Sequence, residues 1–117
     1  MAGKEKSHRR SPCALACSLD IFGDKWTLLI VRDLMRGCAH FKEFEQSPEG
    51  IATNILSNRL ARLVDHGLVE RLPSPERAGR ETYHLTPKGD ALRPVLEAIV
   101  EWGKAQMPGA GVFLEGV

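Results

Sequence analysis

The 117-residue sequence has no apolar run that approaches the roughly 18 residues needed to span a membrane. It also has no P-loop, no G-x-S-x-G or H-E-x-x-H motif and no paired-cysteine redox motif, so we expect neither an enzyme nor a bound cofactor. Cysteine is scarce: the chain has three, an odd number, all in its first third, unlike the disulfide framework of a small secreted domain. A reducing cytoplasm is therefore the expected location.

Net charge is small as well, because 16 Lys and Arg residues nearly cancel 15 Asp and Glu residues and leave +1. Taken over the whole chain, that balance disfavours a general binder of polyanions. The charges are unevenly placed, however: residues 1–10 carry a net +3 and residues 51–80 a net +2, whereas residues 11–50 and 90–117 each carry −2. An anionic partner would thus meet two basic segments rather than a uniformly basic surface.

The spacing of apolar residues predicts one domain that is mainly α-helical with a small β-hairpin, an α+β arrangement. The predicted elements are a helix over residues 14–36 with a break at Gly23-Asp24, a short helix over 40–46, a helix over 52–66, strands over 68–72 and 81–85, and a last helix from Thr86-Pro87 to residue 106 or 107. Asp24 is expected to cap the second part of the first helix, and Thr86 the last helix. Pro94 lies inside that last helix and should kink it or reduce its stability, unless the loss of the backbone donor is tolerated.

A short helix, a turn and a second helix with a small polar outward face form a helix-turn-helix pattern. The hairpin that follows has a basic tip, which makes the pattern a winged one. In the helix over residues 52–66, Leu56, Leu60 and Leu63 form the apolar face, and Asn54 and Asn58 fall on the opposite side. An α-helix fits the major groove of B-DNA, and the second helix of such a pair commonly contacts the bases. The pattern therefore favours double-stranded DNA as the partner.

Short sequence fragments between residues 13 and 103 stand in a characteristic order. They are Cys13, Leu19-Asp20-Ile21-Phe22-Gly23-Asp24-Lys25-Trp26-Thr27-Leu28-Leu29-Ile30, His40-Phe41-Lys42-Glu43-Phe44, Gly50-Ile51, Leu56, Arg59-Leu60, Leu63, Gly67-Leu68-Val69-Glu70-Arg71, Tyr83-His84-Leu85-Thr86-Pro87-Lys88-Gly89 and Glu101-Trp102. With these fragments the chain resembles the HxlR-type winged helix-turn-helix transcriptional regulators of bacteria and archaea. The resemblance implies a homodimer, paired through its N-terminal region and last helix, that binds DNA at or near the promoter of an adjacent gene. Some members activate transcription and others repress it.

Two features depart from the family's pattern. The family commonly opens the recognition helix with Ser-Pro, whereas this chain has Ala52-Thr53, which leaves the register of the outward face open by one residue. Residues 104–117 lie outside the pattern altogether.

The residues expected to contact DNA are polar or basic and lie on the recognition helix, the short helix before it and the hairpin tip. They are Lys42, Thr53, Asn54, Ser57, Asn58, Arg59, Arg62, Arg77 and Arg80. Asparagine can pair bidentately with adenine, serine can bond a base edge or a phosphate, and arginine at the hairpin tip suits phosphate or a narrow minor groove. Arg59 borders the apolar face, where it would either reach a phosphate or form an ion pair within the chain. The competing interpretation of the whole face is a solvated helix surface.

The resemblance places Cys13 where family members commonly carry a cysteine, which in some of them senses oxidants, quinones or aldehydes. Cys17 lies four residues further on and would share the same helix face. The alternative is a pair of inert, partly buried thiols. A zinc site made of Cys13, Cys17, Cys38 and His40 is disfavoured because their spacing matches no familiar zinc motif, so no metal is predicted.

The last predicted helix carries a wide apolar stripe, which the resemblance assigns to the pairing of subunits. The predicted dimer interface is Leu92, Val95, Leu96, Ile99 and Trp102. Residues 1–12 are expected to form a flexible basic tail, residues 13–107 the DNA-binding and dimerisation domain, and residues 108–117 a C-terminal tail.

The function expected from these observations is that of a sequence-specific transcriptional regulator that binds an inverted DNA repeat as a homodimer. Whether an oxidant or electrophile acts on it through Cys13, or another small molecule is its effector, is left open by the sequence. The alternative is a winged-helix protein-interaction module without DNA binding, because a fold does not by itself fix a function.

Overall fold

The computed structural model of the chain describes residues 9–111. In chain order its elements are α1 (Ala14–Phe22), α2 (Thr27–Met35), α3 (Phe41–Glu45), α4 (Thr53–Asp65), β1 (Val69–Pro73), β2 (Glu81–Leu85), α5 (Pro87–Asp90) and α6 (Arg93–Gln106). The two strands form an antiparallel hairpin in which Val69 pairs with Leu85 and Pro73 with Glu81. Helices α3 and α4 form the helix-turn-helix and the hairpin is the wing, so the predicted mainly α fold with one hairpin is confirmed.

The break predicted at Gly23-Asp24 separates α1 from α2. Asp24 accepts hydrogen bonds from the amides of Trp26 and Thr27, at 3.0 and 3.2 Å, and from the Thr27 hydroxyl. These contacts satisfy donors at the start of α2 that have no partner inside the helix. The capping role predicted for Asp24 is therefore confirmed. Asp24 lies three residues before Thr27, the first residue of α2.

The hydrophobic core lies between α2, α4, the wing and the start of α6. Leu56, Leu60 and Leu63 of α4 are at most 1% exposed, as the helical spacing predicts. The other buried apolar residues are Ile30, Val31, Leu34, Phe44, Leu68, Val69, Leu92 and Leu96. Full burial of one such side chain stabilises the fold by about 1.5–3 kcal/mol, so the three leucines fix the apolar side of α4 firmly against the body.

The wing is fastened to the body at its root and along one strand. The Tyr83 amide donates to the Ala39 carbonyl at 2.9 Å, and the Tyr83 ring meets the ring of Phe44 edge to face, with centroids 6.3 Å apart. At the root, the Thr86 hydroxyl donates to the Gly67 carbonyl and accepts from the Gly89 amide at 3.2 Å. These contacts fix the direction in which the wing leaves the domain.

The prediction of one continuous last helix with Pro94 in its interior is wrong. Thr86 does cap a helix, but that helix, α5, ends at Asp90, and α6 begins at Arg93. Pro94 therefore stands in the first turn of α6 rather than in its interior. Because amides in the first turn have no partner within the helix, proline is tolerated there without the loss of a hydrogen bond.

The predicted tails are described only in part, since residues 1–8 and 112–117 lie outside the described residues. Arg10, assigned to the flexible N-terminal tail, forms an ion pair with Asp20 of α1. Both partners are largely exposed, so this pair holds the tail only weakly. Within residues 9–111 no helix combines the length and the apolar character needed to cross a bilayer.

Candidate nucleic-acid interface

The exposed face of α4 carries Asn54, Ser57 and Asn58, opposite the buried leucines. Ala52 is the N-cap residue and Thr53 begins the helix, which settles the register that the Ala52-Thr53 sequence leaves open. The Thr53 hydroxyl donates to a carboxylate oxygen of Glu45 at 3.0 Å and so links the start of α4 to the end of α3. The three polar side chains therefore stand outward on a helix held at its start and along its apolar side.

Two arginines on one flank of α4 point toward the junction between α1 and α2. Arg59 donates through Nε to Asp24 Oδ2 at 2.9 Å and through Nη1 to the side-chain oxygen of Asn58. Of the two alternatives for Arg59, the structure has the ion pair within the chain. Arg62, predicted to contact DNA, donates to the Asp20 carbonyl at 3.1 Å. The reason is that the carbonyls at the end of α1 carry partial negative charge and accept from a nearby cation.

The ion pair between Asp24 and Arg59 keeps its charge over a wide pH range. Burial alone raises the pKa of the Asp24 carboxyl, but hydrogen bonds from Thr27 and Arg59 outweigh that effect and hold the pKa at about 2. The side chains of Asp24 and Arg59 are 22% and 23% exposed. A charged pair in this half-buried position fixes α4 to the start of α2.

A second ion pair holds the turn between α3 and α4, and sequence reasoning missed it. Arg32 of α2, 6% exposed, donates to both carboxylate oxygens of Glu49 at 2.8 Å and to the Ser47 hydroxyl at 3.0 Å. Its hydrogen bonds lower the pKa of Glu49 to about 2. Asp33 also pairs with Arg32, at 2.9 Å. The sequence offers only a weak signal for this pair, namely a charged residue within an apolar helix. Nothing near Arg32 in the sequence indicates that its partner lies 17 residues away.

The tip of the wing is ordered by hydrogen bonds within the turn, made by its backbone and by the Ser74 hydroxyl. The Ser74 hydroxyl accepts from the amides of Glu76 and Arg77, both at 3.2 Å, and the Ser74 amide donates to the Arg80 carbonyl at 2.9 Å. Gly79 has φ +80°, a left-handed conformation that favours glycine. The predicted wing residues Arg77 and Arg80 are thus exposed on a defined turn.

The structure brings the predicted phosphate contacts of α3 and the wing together. Lys42, Arg77 and Arg80 line one open groove of about 930 Å³ between α3 and the hairpin. Four carboxylates share its lining, so the groove has mixed charge; they are Glu43, Glu45, Glu76 and Glu81. The cations therefore suit contacts at defined points rather than a uniformly basic channel.

The thiols differ in exposure and acidity. Cys13 is exposed at the N-cap of α1, where the amides of Ala16 and Leu15 lower the pKa of its thiol. Cys17 lies one turn further along α1, is half-buried and donates to the Ser11 carbonyl at 3.1 Å. Burial raises the pKa of the Cys38 thiol. Within the described part of the chain, no group of three or more His, Cys, Asp or Glu residues is placed to hold a metal ion.

The predicted dimer residues divide into two groups. Leu92 and Leu96 belong to the core of the single chain, at 9% and 5% exposed, because the turn between α5 and α6 directs them inward. Val95, Ile99 and Trp102 are 36%, 51% and 63% exposed. On α1, Leu15 and Leu19 are also exposed, at 67% and 46%, and the predicted interface does not include them. Because residues four apart lie on one face of a helix, the spacing of Leu15 and Leu19 is the sequence signal that could have placed them in the interface.

Known proteins resemble the chain in both sequence and fold. The model of the family described as HxlR-like helix-turn-helix matches residues 21–110. A helix-turn-helix transcriptional regulator of Mycobacterium tuberculosis is 33% identical over 108 residues, which cover 92% of this chain and 68% of that protein. The crystal structure of PA1607, a transcription factor candidate, superposes with a TM-score of 0.80 at 42% identity and covers 91% of this chain and 75% of its own.

The transcriptional regulator YodB of Bacillus subtilis is similar as well. Its reduced form superposes with a TM-score of 0.70 at 29% identity, covering 86% of this chain and 100% of that one. Its quinone-bound form superposes with a TM-score of 0.66 at 30% identity, covering 78% and 96%.

Proposed function

Since the chain belongs to the HxlR-like helix-turn-helix family, we propose that it binds an inverted-repeat operator in double-stranded DNA as a homodimer and thereby regulates transcription. The observation that carries the proposal is the exposed polar face of α4, with Asn54, Ser57 and Asn58 outward while the apolar side and the arginine flank are fixed to the body. A helix held in this way can enter the major groove without rearranging.

The proposed contacts fall into two kinds. Asn54, Ser57 and Asn58 face the base edges, where amides and hydroxyls can donate and accept hydrogen bonds. Lys42, Arg77 and Arg80 contact phosphates, which set the register of the protein on the duplex but carry no sequence information. Arg59 and Arg62 donate to acceptors within the chain and are not among the proposed phosphate contacts.

The homodimer is supported by apolar surface that a monomer would leave in water. Val95, Ile99 and Trp102 on α6 form the proposed interface, together with the exposed Leu15 and Leu19 on α1. Two recognition helices one turn of DNA apart, about 34–36 Å, would read the two halves of an inverted repeat. The protein would act in the cytoplasm, where its operator is.

A mobility-shift assay with DNA from the region upstream of its own gene tests the proposal. We expect a band that weakens with salt, and at least a tenfold loss of affinity in the double variant Asn58→Ala/Arg77→Ala, since one bidentate contact alone is worth about 1–3 kcal/mol. Lys104→Ala removes an exposed cation from the end of α6 and is the matched control. Undiminished affinity of the double variant overturns the assigned face. If the folded protein binds no genomic fragment in a salt-sensitive way, the protein-interaction alternative is favoured.

A second candidate function, regulation through a thiol, is favoured by Cys13. Its sulfur is exposed and acidified at a helix start, which increases the reactive thiolate fraction. YodB, a relative, is known in reduced and quinone-bound forms. Treatment with diamide or a quinone should change operator affinity in the wild type and in Cys38→Ser but not in Cys13→Ser. An equal response in Cys13→Ser, or none in the wild type, removes the switch.

A further inference from the structure

We propose that Arg59 is a positioning residue that fixes the side-chain amide of Asn58, so that Asn58 offers its NH2 group to the DNA and reads hydrogen-bond acceptors. This inference rests on the proposed function, because it specifies how one residue of the α4 face discriminates between bases. It also gives Arg59 a role different from the phosphate contact that its position suggests.

The contacts form a continuous chain from α2 to the exposed face of α4. Asp24 is held by the Trp26 and Thr27 amides and by the Thr27 hydroxyl. Its Oδ2 accepts from Arg59 Nε at 2.9 Å, and Arg59 Nη1 donates to Oδ1 of Asn58. Asp24 and Arg59 are half-buried whereas Asn58 is exposed, so the chain of contacts ends at the surface. Each member is held by the one before it, and the Asn58 amide is the last.

The chemistry of the amide gives this arrangement a direction. A free asparagine side chain presents one acceptor oxygen and two N–H donors and can turn to use either. In this structure the oxygen accepts from a guanidinium, a charge-assisted bond that is stronger than a neutral one. Although the oxygen keeps a second lone pair, the bond to Arg59 fixes the orientation of the amide, and we infer that in this orientation the two N–H donors are the groups presented to DNA.

An amide that presents its N–H groups but not its oxygen prefers particular base edges in the major groove. The bidentate contact of asparagine with adenine uses both the N7 acceptor and the N6 amine of the base. With its oxygen held by Arg59, Asn58 would present to the base the donor half of this contact, which meets an acceptor such as purine N7, guanine O6 or thymine O4. We therefore expect Asn58 to be insensitive to the exocyclic amine of the base that it faces.

Asn54 provides the internal comparison. It is an exposed amide one turn earlier on the same face, and within residues 9–111 no arginine clamps its oxygen. Asn54 is thus free to turn and to form the two-point contact with adenine. Two asparagines on one helix face would then read DNA in different ways.

The test begins with selection of bound genomic fragments and measurement of operator affinity for the wild type. The base pair whose preference disappears in Asn58→Ala is the pair that Asn58 faces. At this pair, a base analogue without the acceptor, 7-deazapurine or a pyrimidinone without O4, should weaken binding about ten- to hundredfold. An analogue that lacks only the exocyclic amine should bind within about twofold of the natural base. Sensitivity to loss of the amine, or insensitivity to loss of the acceptor, overturns the inference.

Variants of Arg59 test whether the clamp is responsible. Arg59→Lys keeps a cation beside Asp24 but cannot bridge to Asn58 with a fork of N–H groups, and Arg59→Met removes the cation. In both, the Asn58 amide can turn, so loss of the exocyclic amine should now cost affinity at the same pair. Asn54→Ala should leave the analogue response at that pair unchanged. An unaltered response in folded Arg59 variants contradicts the clamp.

Asn58→Asp provides a test with Arg59 intact, should the Arg59 variants unfold. It has the shape of asparagine but only acceptor oxygens, so the acceptor-reading contact should be lost, with at least a tenfold drop in affinity. Retained affinity, or retained preference for the acceptor, overturns the inference. If the wild type binds no fragment in a salt-sensitive way, the proposed function fails first; if it binds with the opposite analogue response, this inference alone fails.

Discussion

The arginines of this chain show that the role of a single side chain depends on what faces it. Arg32, Arg59 and Arg62 are all held by acceptors within the chain, whereas Arg77 and Arg80 stand exposed at the wing tip. Helical spacing correctly places Asn54, Ser57 and Asn58 on the outward face of α4. It does not distinguish Arg62 from them, because the acceptor for Arg62, the carbonyl of Asp20, lies 42 residues away.

The Arg32–Glu49 pair predicts a change of stability with acid. Glu49 has a pKa of about 2 in the folded chain against an ordinary 4.5, so its contribution is complete above about pH 5 and is lost as the pH falls toward 2. Asp24, lowered from 3.8 to about 2, adds a loss in the same direction between about pH 4 and 2. Urea unfolding at pH 7 and at pH 3 should therefore show a less stable protein at pH 3.

The variant Glu49→Gln isolates the contribution of Glu49. At pH 7 it should lower the free energy of unfolding by about 1–3 kcal/mol, because Arg32 loses a bidentate charged partner in a buried position. Between pH 7 and pH 3 it should lose less stability than the wild type. Glu97→Gln, on the exposed side of α6, should match the wild type at both pH values. A Glu49→Gln protein with the acid sensitivity of the wild type contradicts the assignment.

At the level of helices and strands, most of the fold follows from the sequence and the exceptions have local causes. The break at Gly23-Asp24, the extent of α4 and the hairpin are predicted from periodicity and turn residues. The last helix is mispredicted because an apolar stripe continues through the turn after Asp90, and periodicity cannot reveal a change of direction. That turn buries Leu92 and Leu96 in the core and leaves Ile99 and Trp102 exposed. Only some of the residues predicted for the dimer interface therefore lie on the surface.

The root of the wing depends on close packing at Gly89. A Cβ atom at this position would lie 2.1 Å from the Leu68 carbonyl oxygen and 2.9 Å from a Leu85 methyl group. Gly89→Ala should therefore force α5 away from the hairpin and destabilise the domain by about 1–3 kcal/mol, measured by thermal or urea unfolding.

Gly111→Ala is the control for that substitution. A Cβ there meets nothing within 4 Å, so stability should stay within about 0.5 kcal/mol of the wild type. Equal stability of the two alanine variants would show that the wing root yields easily, which contradicts the tight packing described above.

For the whole molecule, the exposed apolar residues of α6 predict the oligomeric state. Ile99→Glu combined with Trp102→Glu should weaken the homodimer at least about thirtyfold, since even one buried anchor residue at an interface contributes about 2 kcal/mol or more. Analytical ultracentrifugation gives the dissociation constant. Leu72→Glu changes an apolar residue of β1 that is 42% exposed and should leave the dimer intact. A dimer equally stable in the double variant places the interface elsewhere.

The near-neutral charge of the chain predicts a moderate response of DNA binding to salt. With Arg59 and Arg62 occupied, the proposed phosphate contacts are Lys42, Arg77 and Arg80 in each subunit. Each neutralised phosphate adds about 0.9 to the slope of log affinity against log salt concentration, so a dimer should show a slope near −5. Arg77→Ala should reduce its magnitude by about 2, and Lys104→Ala should not change it. A slope near −10 would mean that cations other than Lys42, Arg77 and Arg80 also contact phosphates.

Apart from Asn58, which Arg59 holds, the outward side chains of helix α4 lie away from the side chains that anchor the helix. Arg59, Arg62 and the buried leucines hold the helix, while Asn54, Ser57 and Ala61 project away from every one of these attachments. Substitutions at these outward positions should change the groups that can contact base edges without changing the stability of the folded domain. Duplicated genes for such a scaffold can thus diverge to separate operators through a few outward substitutions, without passing through an unfolded intermediate.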